Sequence, residues 1–133
     1  MGKTIKVYSK KSEGSFKVST NFRVREFACS DGSDVVLIAP DLVKILQSVR
    51  EHFGKPVNIT SGYRTVSYNA KVNGSANDSK HTFGIAADIK ITGVAPKTIA
   101  AYIETLIPNS GGIGTYKTFV HVDTRDKRSR WTG

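Results

Sequence analysis

Residues 79–89 have the sequence Ser-Lys-His-Thr-Phe-Gly-Ile-Ala-Ala-Asp-Ile, and they hold more information about this chain than any other stretch. The second half of this stretch predicts a strand over residues 85–91. Because alternate side chains of a strand share a face, Asp88 lies on one side with Ala86 and Lys90, and the isoleucines face the core on the other. Asp88 therefore projects from a face of small residues, with room beside it for a ligand.

A second pair of histidine and acid follows about thirty residues later, in His121-Val122-Asp123. In a strand over residues 119–124, His121 and Asp123 share a face and the valines point into the core. If this strand neighbours the first, His121 can meet Asp88, and His81 can fold back over the same face. Two imidazoles and one carboxylate suit zinc and leave its fourth position to water. Spacing alone leaves another interpretation open, in which Asp88 caps a turn and His121 is a buried core histidine.

The remaining pattern predicts an α+β fold, with a small, mainly antiparallel sheet and two or three packed helices. The clearest helix follows Pro40 and ends at Gly54, and a second runs from Pro96 to Leu106. A third helical piece is predicted over 67–72, and an exposed loop over 73–79 leads to His81. Short strands are expected at 57–60, 111–116 and 119–124, in addition to 85–91.

The start of the chain predicts a separate feature. Residues 3–18 alternate in places and predict an extended arm or a pair of edge strands that turns at Gly14. We therefore expect an N-terminal arm over residues 1–20 and a single domain over residues 21–133.

Composition limits the classes of function. A chain of 133 residues forms one domain, and its formal net charge of +9 favours anionic partners. Cys29 is the only cysteine, so an internal disulfide and a cysteine-based metal site are excluded. No pattern of a nucleic-acid-binding motif is present, and no apolar run approaches the ~20 residues that span a bilayer.

The chain resembles the zinc D-alanyl-D-alanine carboxypeptidase family of peptidoglycan peptidases, which includes phage endolysins. The resemblance covers roughly residues 21–131. Four segments carry it, in this order: Ser61-Gly62-Tyr63-Arg64, the stretch 79–89, Gly111-Gly112-Ile113-Gly114-Thr115-Tyr116, and Phe119-Val120-His121-Val122-Asp123-Thr124-Arg125. The match is closest to short phage and prophage members. The fold is shared with the signalling domain of hedgehog proteins, so fold alone does not establish catalysis.

The resemblance implies a site and a cofactor. It implies that His81, Asp88 and His121 bind Zn²⁺ and that Arg64 binds or polarises the substrate, for which a guanidinium is well suited. Ser79 and Tyr63 are further candidates for contact with the substrate, and each is also compatible with an ordinary loop or half-buried residue.

One position departs from the family pattern. Several members carry an acid or histidine three residues before the last zinc histidine, where this chain has Thr118. Asp123 is the nearest acid on the correct face and could act as the general base or orient His121. Glu26 and His52 are more remote candidates for the base.

The leading prediction is therefore a zinc peptidase that cuts peptidoglycan stem peptides, as a D-Ala-D-Ala carboxypeptidase or an endolysin-type endopeptidase. The alternative is a zinc-containing module of the same fold that binds the cell wall without catalysis. No feature demands more than a monomer, and no nucleic acid is expected as a partner. Because no signal peptide is recognisable, we expect synthesis in the cytoplasm and action on the wall after release, in a phage or prophage context.

Overall fold

The computed structural model describes residues 4–71 and 79–133, and four α-helices and nine strands lie in these ranges. The predicted loop over 73–79 lies outside the described residues except for Ser79. The helices are α1 Lys10–Glu13, α2 Pro40–Phe53, α3 Val66–Lys71 and α4 Pro96–Leu106. The strands are β1 Lys6–Ser9, β2 Lys17–Ser19, β3 Phe22–Arg23, β4 Val35–Ile38, β5 Asn58–Ser61, β6 Ala86–Lys90, β7 Gly112–Thr115, β8 Val120–Asp123 and β9 Ser129–Thr132. Short 3₁₀ turns cover Val24–Phe27 and Lys80–Phe83. These elements confirm the predicted α+β class.

The central sheet has five strands in the order β5-β6-β8-β7-β9. All of its neighbours are antiparallel except β7 and β9, which are parallel. Helix α4 packs on β7 and β8, and α2 packs against α4. Alternation along β6 and β8 places Ile89, Val120 and Val122 in the core with no solvent exposure. The opposite face of these two strands carries the polar side chains.

The register of the sheet aligns one row of residues across all five strands. Ser61 pairs with Asp88, Asp88 with His121, His121 with Gly114, and Gly114 with Trp131. Because directly opposite residues of a sheet point to the same face, the side chains of this row lie side by side. The two strands that carry Asp88 and His121 are therefore neighbours, which is the condition on which the predicted metal site depended.

Helix α2 forms where its apolar spacing predicts it. Leu42, Val43, Leu46 and Val49 form a buried stripe on one face. Pro40 occupies the first turn, where its missing N–H is not needed, and Gly54 ends the helix in the left-handed conformation with φ 64°.

The N-terminal segment differs from its prediction. Strand β1 pairs with β4, not with the strand after Gly14, and β2 pairs with β3. The physical reason is Asp34, which directly precedes β4 and binds the residues at the end of β1. Its carboxylate accepts from Ser9 Oγ (2.8 Å) and from the Lys11 N–H (2.7 Å), and its carbonyl accepts from the Lys10 N–H (2.8 Å). The chain therefore turns as the short helix α1 and places β1 beside Val36 and Ile38 of β4.

The C-terminal strand β9 was also not predicted. It extends the sheet in parallel to β7 and carries Trp131, whose Nε1–H donates to the Tyr116 hydroxyl at 2.8 Å.

No helix in the described ranges has the length and apolar character to cross a membrane. The division into an arm over 1–20 and a domain over 21–133 stays a prediction.

Gly84 ends the 3₁₀ turn that carries His81, and we expect Gly84→Ala to destabilise the fold. Gly84 has φ 75°, and an added Cβ would lie 2.7 Å from the carbonyl oxygen of Leu37. Positive φ costs an alanine about 1–2 kcal/mol, and the contact with backbone adds to it. Gly32→Ala is the matched control, because Gly32 has φ 83° with nothing within 4 Å of an added Cβ. In urea unfolding, Gly84→Ala should lose clearly more stability than Gly32→Ala. Equal losses would contradict close packing at Gly84.

Candidate metal centre

Three elements bring His81, Asp88 and His121 together. Asp88 and His121 are opposite each other on β6 and β8, and His81 comes from the 3₁₀ turn that precedes β6. All three residues are buried, with exposures of 3%, 8% and 9%. One ligand atom from each lies within 4.8 Å of the other two. The structure thus assembles the three residues that the sequence predicted as metal ligands.

A backbone carbonyl determines which nitrogen of His81 faces the centre. His81 Nδ1 lies 2.8 Å from the Gly62 carbonyl oxygen, which can only accept, so Nδ1 carries the proton. The lone pair of Nε2 then points to Asp88 Oδ1 at 3.3 Å. The chain can pass this close to Phe27 only with a glycine at position 62, because an added Cβ would lie 2.8 Å from the Phe27 backbone.

A carboxylate orients His121 in the opposite sense. His121 Nε2 lies 2.7 Å from Asp123 Oδ2, and Nδ1 lies 3.0 Å from Asp88 Oδ1. A cation at Nδ1 would place the proton of this ring on Nε2, toward Asp123, and each imidazole would then direct its inner nitrogen at the same carboxylate oxygen. This outer bonding is the usual support of histidine ligands to metals.

The donor atoms fit a divalent cation. Two nitrogen lone pairs and one carboxylate oxygen converge within 3.0–3.3 Å, and acceptors at that separation repel each other unless a proton or cation lies between them. Burial raises the pKa of Asp88, but hydrogen bonds donated by His121 and His81 when these rings are protonated outweigh this and hold the pKa well below its usual range, and a cation would take the place of those protons. Asp88 is therefore a carboxylate at neutral pH. Two imidazoles and a carboxylate form a common three-residue zinc site with an open fourth position.

Asp123 has no exposed surface and is fully engaged in hydrogen bonds. Its carboxylate accepts from His121, from the backbone N–H groups of Gly112 (3.0 Å) and Arg125 (3.1 Å), and from Arg125 Nε (2.9 Å) and Nη2 (2.7 Å). Burial raises its pKa, and the bonds with His121 and Arg125 lower it by more, so the net shift is downward. Of the two roles left open by the sequence, these contacts favour the orientation of His121.

Arg64 lies at the β5 side of the centre. Its Nη2 is 3.6 Å from Asp88 Oδ2, its Nε donates to Ser61 Oγ at 3.0 Å, and its Nη1 donates to Asn69 Oδ1 at 3.3 Å. Asn69 is itself 2% exposed, so the guanidinium is held by a buried neighbour. The structure thus brings the predicted substrate-binding arginine beside the metal ligands.

The other predicted substrate contacts have local structural roles. Ser79 Oγ accepts from the His81 N–H at 3.3 Å and caps the 3₁₀ turn. Tyr63 is half buried against the core, and its N–H donates to the Phe27 carbonyl at 2.8 Å. Ser79 therefore shapes the backbone that carries His81, and Tyr63 follows the Gly62 carbonyl directly.

Three other positions were considered for a general base, and the contacts described for them are with residues other than the three candidate ligands. Thr118 is exposed in the turn between β7 and β8. Glu26 accepts from the Arg23 N–H at 2.7 Å in a capping box. His52 is exposed at the end of α2, where its ring stacks on Tyr102 at 3.8 Å.

Sequence reasoning missed two groups that support the centre. Arg125 lies two residues after Asp123, and that spacing was a usable signal because alternate residues of an extended chain share a face. The Gly62 carbonyl had no signal of its own, since a backbone oxygen is present at every position.

Comparison with known proteins identifies a family match. The model of the peptidase M15 family matches residues 16–123, which is more than half of the chain. The match includes His81, Asp88, His121 and Asp123.

Two bacterial relatives share part of the sequence. The peptidoglycan L,D-endopeptidase MepK of Escherichia coli (strain K12) is 40% identical over 80 residues, which are 56% of this chain and 43% of the relative. The probable peptidoglycan L,D-endopeptidase MepK of Haemophilus influenzae is 33% identical over 103 residues, which are 71% of this chain and 54% of the relative. The chain thus spans about half the length of the curated relatives that it matches.

We expect His81→Ala and Asp88→Ala to abolish tight zinc binding, because each removes one of three converging ligands. His52→Ala is the control, since His52 is an exposed histidine that stacks on Tyr102. Zinc content after dialysis, measured by native mass spectrometry, should be near one ion in wild type and His52→Ala and near zero in the other two. Stoichiometric zinc in His81→Ala would rule out this site.

Zinc affinity should fall on acidification. Burial lowers the pKa of His121, but its bonds with Asp123 and Asp88 outweigh this and raise the pKa above the ordinary value of 6.5. A raised pKa means that a proton competes with the cation for Nδ1 below that pKa, and the competition ends above it. The apparent affinity should decrease by up to about tenfold per pH unit for one displaced proton. Competition with a zinc indicator between pH 8 and 6 measures the slope, and a flat profile would contradict the assignment of His121.

Proposed function

This chain belongs to the peptidase M15 family, and we propose that it is a zinc-dependent peptidase that hydrolyses a peptide bond in the stem peptides of bacterial peptidoglycan. The resemblance found in the sequence is confirmed by the family match. The observation that carries the proposal is the convergence of His81 Nε2, Asp88 Oδ1 and His121 Nδ1, with the outer nitrogen of each imidazole already bonded.

The bond is proposed from the relatives. Both are named as L,D-endopeptidases, and their names support an internal cut between an L and a D centre of the stem peptide over removal of a terminal D-alanine. The family match over residues 16–123 includes all three proposed ligands. A role in a phage lysis system stays a prediction from the resemblance.

The proposed mechanism is metal-assisted amide hydrolysis. His81, Asp88 and His121 would hold the zinc ion, which when bound would supply a Lewis acid for the scissile carbonyl and lower the pKa of a water toward ~7. The protein's contribution is to hold the outer nitrogen of each imidazole, His81 Nδ1 at the Gly62 carbonyl and His121 Nε2 at the Asp123 carboxylate, so that the inner nitrogens face the site. The sheet supplies rigidity, because Asp88 and His121 are fixed by adjacent strands whose other face is buried.

We propose that Arg64 binds the substrate. Its guanidinium is held by Ser61 and Asn69 at the edge of the centre, so little conformational freedom is lost when a substrate binds. A permanent positive charge beside the reacting carbonyl stabilises the negative charge that develops on its oxygen. Arg64 is also suited to a carboxylate of the stem peptide, since an arginine can donate two parallel hydrogen bonds.

We propose that Asp123 orients His121 and does not take the proton of the attacking water. Five N–H donors already surround its carboxylate, and it has no exposed surface through which a water could approach. Thr118 has a hydroxyl that does not act as a base near neutral pH, so the proton acceptor is a group other than these two.

The charge of the chain supports a cell-wall substrate. A net charge of +9 creates a positive field that concentrates anionic polymers, and bacterial walls carry many carboxylates and phosphates.

We expect purified peptidoglycan to be cut by the zinc-loaded protein, with fragments whose masses identify an L,D bond. Digests of several wall types should be compared by mass spectrometry with a chelated sample and with His81→Ala, which should both be inactive. Arg64→Ala should retain zinc and lose about a hundredfold or more in kcat/KM, the scale of one lost electrostatic contact in a transition state.

Two other results of the digestion would change the proposed function. A folded, zinc-containing protein that releases no fragments from any wall type would reject the peptidase and favour a module that only binds the wall. Thr118 is the observation that keeps this second function open, since the family resemblance implies an acid or a histidine at this position in several members. Fragments that lack only a terminal D-alanine would keep the peptidase but replace the proposed bond.

A further inference from the structure

Four side chains contact one another in a closed ring that includes the proposed metal ligand His121. His121 donates to Asp123 at 2.7 Å, and Asp123 accepts both Arg125 donors in a fork. The Arg125 guanidinium lies over the indole of Trp131, with Cζ 5.2 Å from the ring centre. The Trp131 ring in turn lies 5.2 Å from the His121 ring at an angle of 47°. Each member therefore contacts two others, and the ring returns to His121.

Two glycines of β7 make room for this ring. A Cβ on Gly112 would contact the Asp123 carboxylate, and a Cβ on Gly114 would contact the indole of Trp131. Both glycines have ordinary backbone angles, so the requirement here is for space and not for a special conformation. The segment Gly-Ile-Gly thus keeps the surface beside His121 open for one carboxylate and one indole.

Trp131 is held from a further side. Its Nε1–H donates to the Tyr116 hydroxyl at 2.8 Å, and the Tyr116 ring stacks on Phe119 at 4.4 Å. The indole is therefore a fixed surface, against which both Arg125 and the face of His121 rest.

We propose that Arg125 and Trp131 are positioning residues that hold His121 in the orientation with Nδ1 toward the metal. This inference rests on the metal centre of the proposed function. A half turn of His121 about its Cβ–Cγ bond would otherwise put Cδ2 and Cε1 in the places of Nδ1 and Nε2, and the ring would present a carbon to the metal. Asp123 opposes that rotation only while its own carboxylate is fixed, and Arg125 fixes it through two parallel hydrogen bonds. Trp131 keeps the guanidinium in place and limits the tilt of the imidazole.

The test measures zinc affinity and the protonated nitrogen of His121, independently of catalysis. The variants are Arg125→Ala, Arg125→Lys, Trp131→Ala and Trp131→Phe. Arg128→Ala is the matched control, because Arg128 is 51% exposed and pairs with Glu104. Zinc affinity is measured by indicator competition, and the His121 ring nitrogens are observed by ¹⁵N NMR. Thermal unfolding of the metal-free proteins separates effects on stability.

We expect Arg125→Ala and Trp131→Ala to weaken zinc binding by about 10–100-fold, the usual scale for groups that support a metal ligand. Arg125→Lys should not restore affinity, because an ammonium cannot form the fork. Trp131→Phe should remain within about threefold of wild type, because an aromatic face is retained. Arg128→Ala should match wild type. The zinc-bound wild type should show a proton on Nε2 of His121, and Arg125→Ala should show a mixture.

Wild-type zinc affinity in both Arg125→Ala and Trp131→Ala would overturn the inference, as would an equal loss in Arg128→Ala. If Trp131→Ala does not fold, Arg125→Ala and Arg125→Lys still decide. An unchanged affinity and nitrogen spectrum in Arg125→Ala would then reject the positioning role. The outcome is separable from that of the proposed function: zinc binding that depends on Arg125 without any cleavage of peptidoglycan rejects the peptidase and retains the positioning role.

Discussion

The pairing of β6 with β8 is the constraint on which the site depends. Their register places Asp88 opposite His121, and a slip of one residue would place a valine there and turn His121 into the core. Such a slip is opposed by the other face of the same strands, where Ile89, Val120 and Val122 have no solvent exposure. Burial of apolar side chains on one face of the sheet therefore determines which polar groups meet on the other.

The second requirement is space. Gly62 allows the chain to pass close to the backbone of Phe27 and to present its carbonyl to His81. Gly112 and Gly114 leave the volume that Asp123 and Trp131 fill on the other side of the centre. Glycines thus lie beside both histidines, and the space that they leave is used by groups that contact an imidazole: the Gly62 carbonyl at His81, and Asp123 and Trp131 at His121.

Charge in the centre is paired throughout. Asp88 faces two imidazoles and lies 3.6 Å from Arg64, and Asp123 is bonded by Arg125. A buried carboxylate without partners would be costly, so each acid depends on its cationic or donor neighbours. The same pairing keeps both acids ionised, which a metal ligand and an acceptor for a histidine proton both require. Electrostatic stability and the chemistry of the site therefore demand the same arrangement.

Sequence patterns were sufficient for α2, α4 and the strands of His121 and Asp88, because long apolar stripes and period-two alternation are local signals. They also identified His81, Asp88 and His121 as a candidate set, since alternation assigns Asp88 and His121 to the polar faces of their strands. The pairing of β1 with β4 was not predictable, because Asp34 holds it through contacts across more than twenty residues. The fork from Arg125 and the Gly62 carbonyl likewise depend on where the folded backbone passes. The sequence by itself determined which residues are the candidate metal ligands and on which face of their strands Asp88 and His121 lie. Only the tertiary structure decided which nitrogen of each histidine faces the centre and that Asp123 is enclosed by donors, because these depend on distances between segments far apart in the chain.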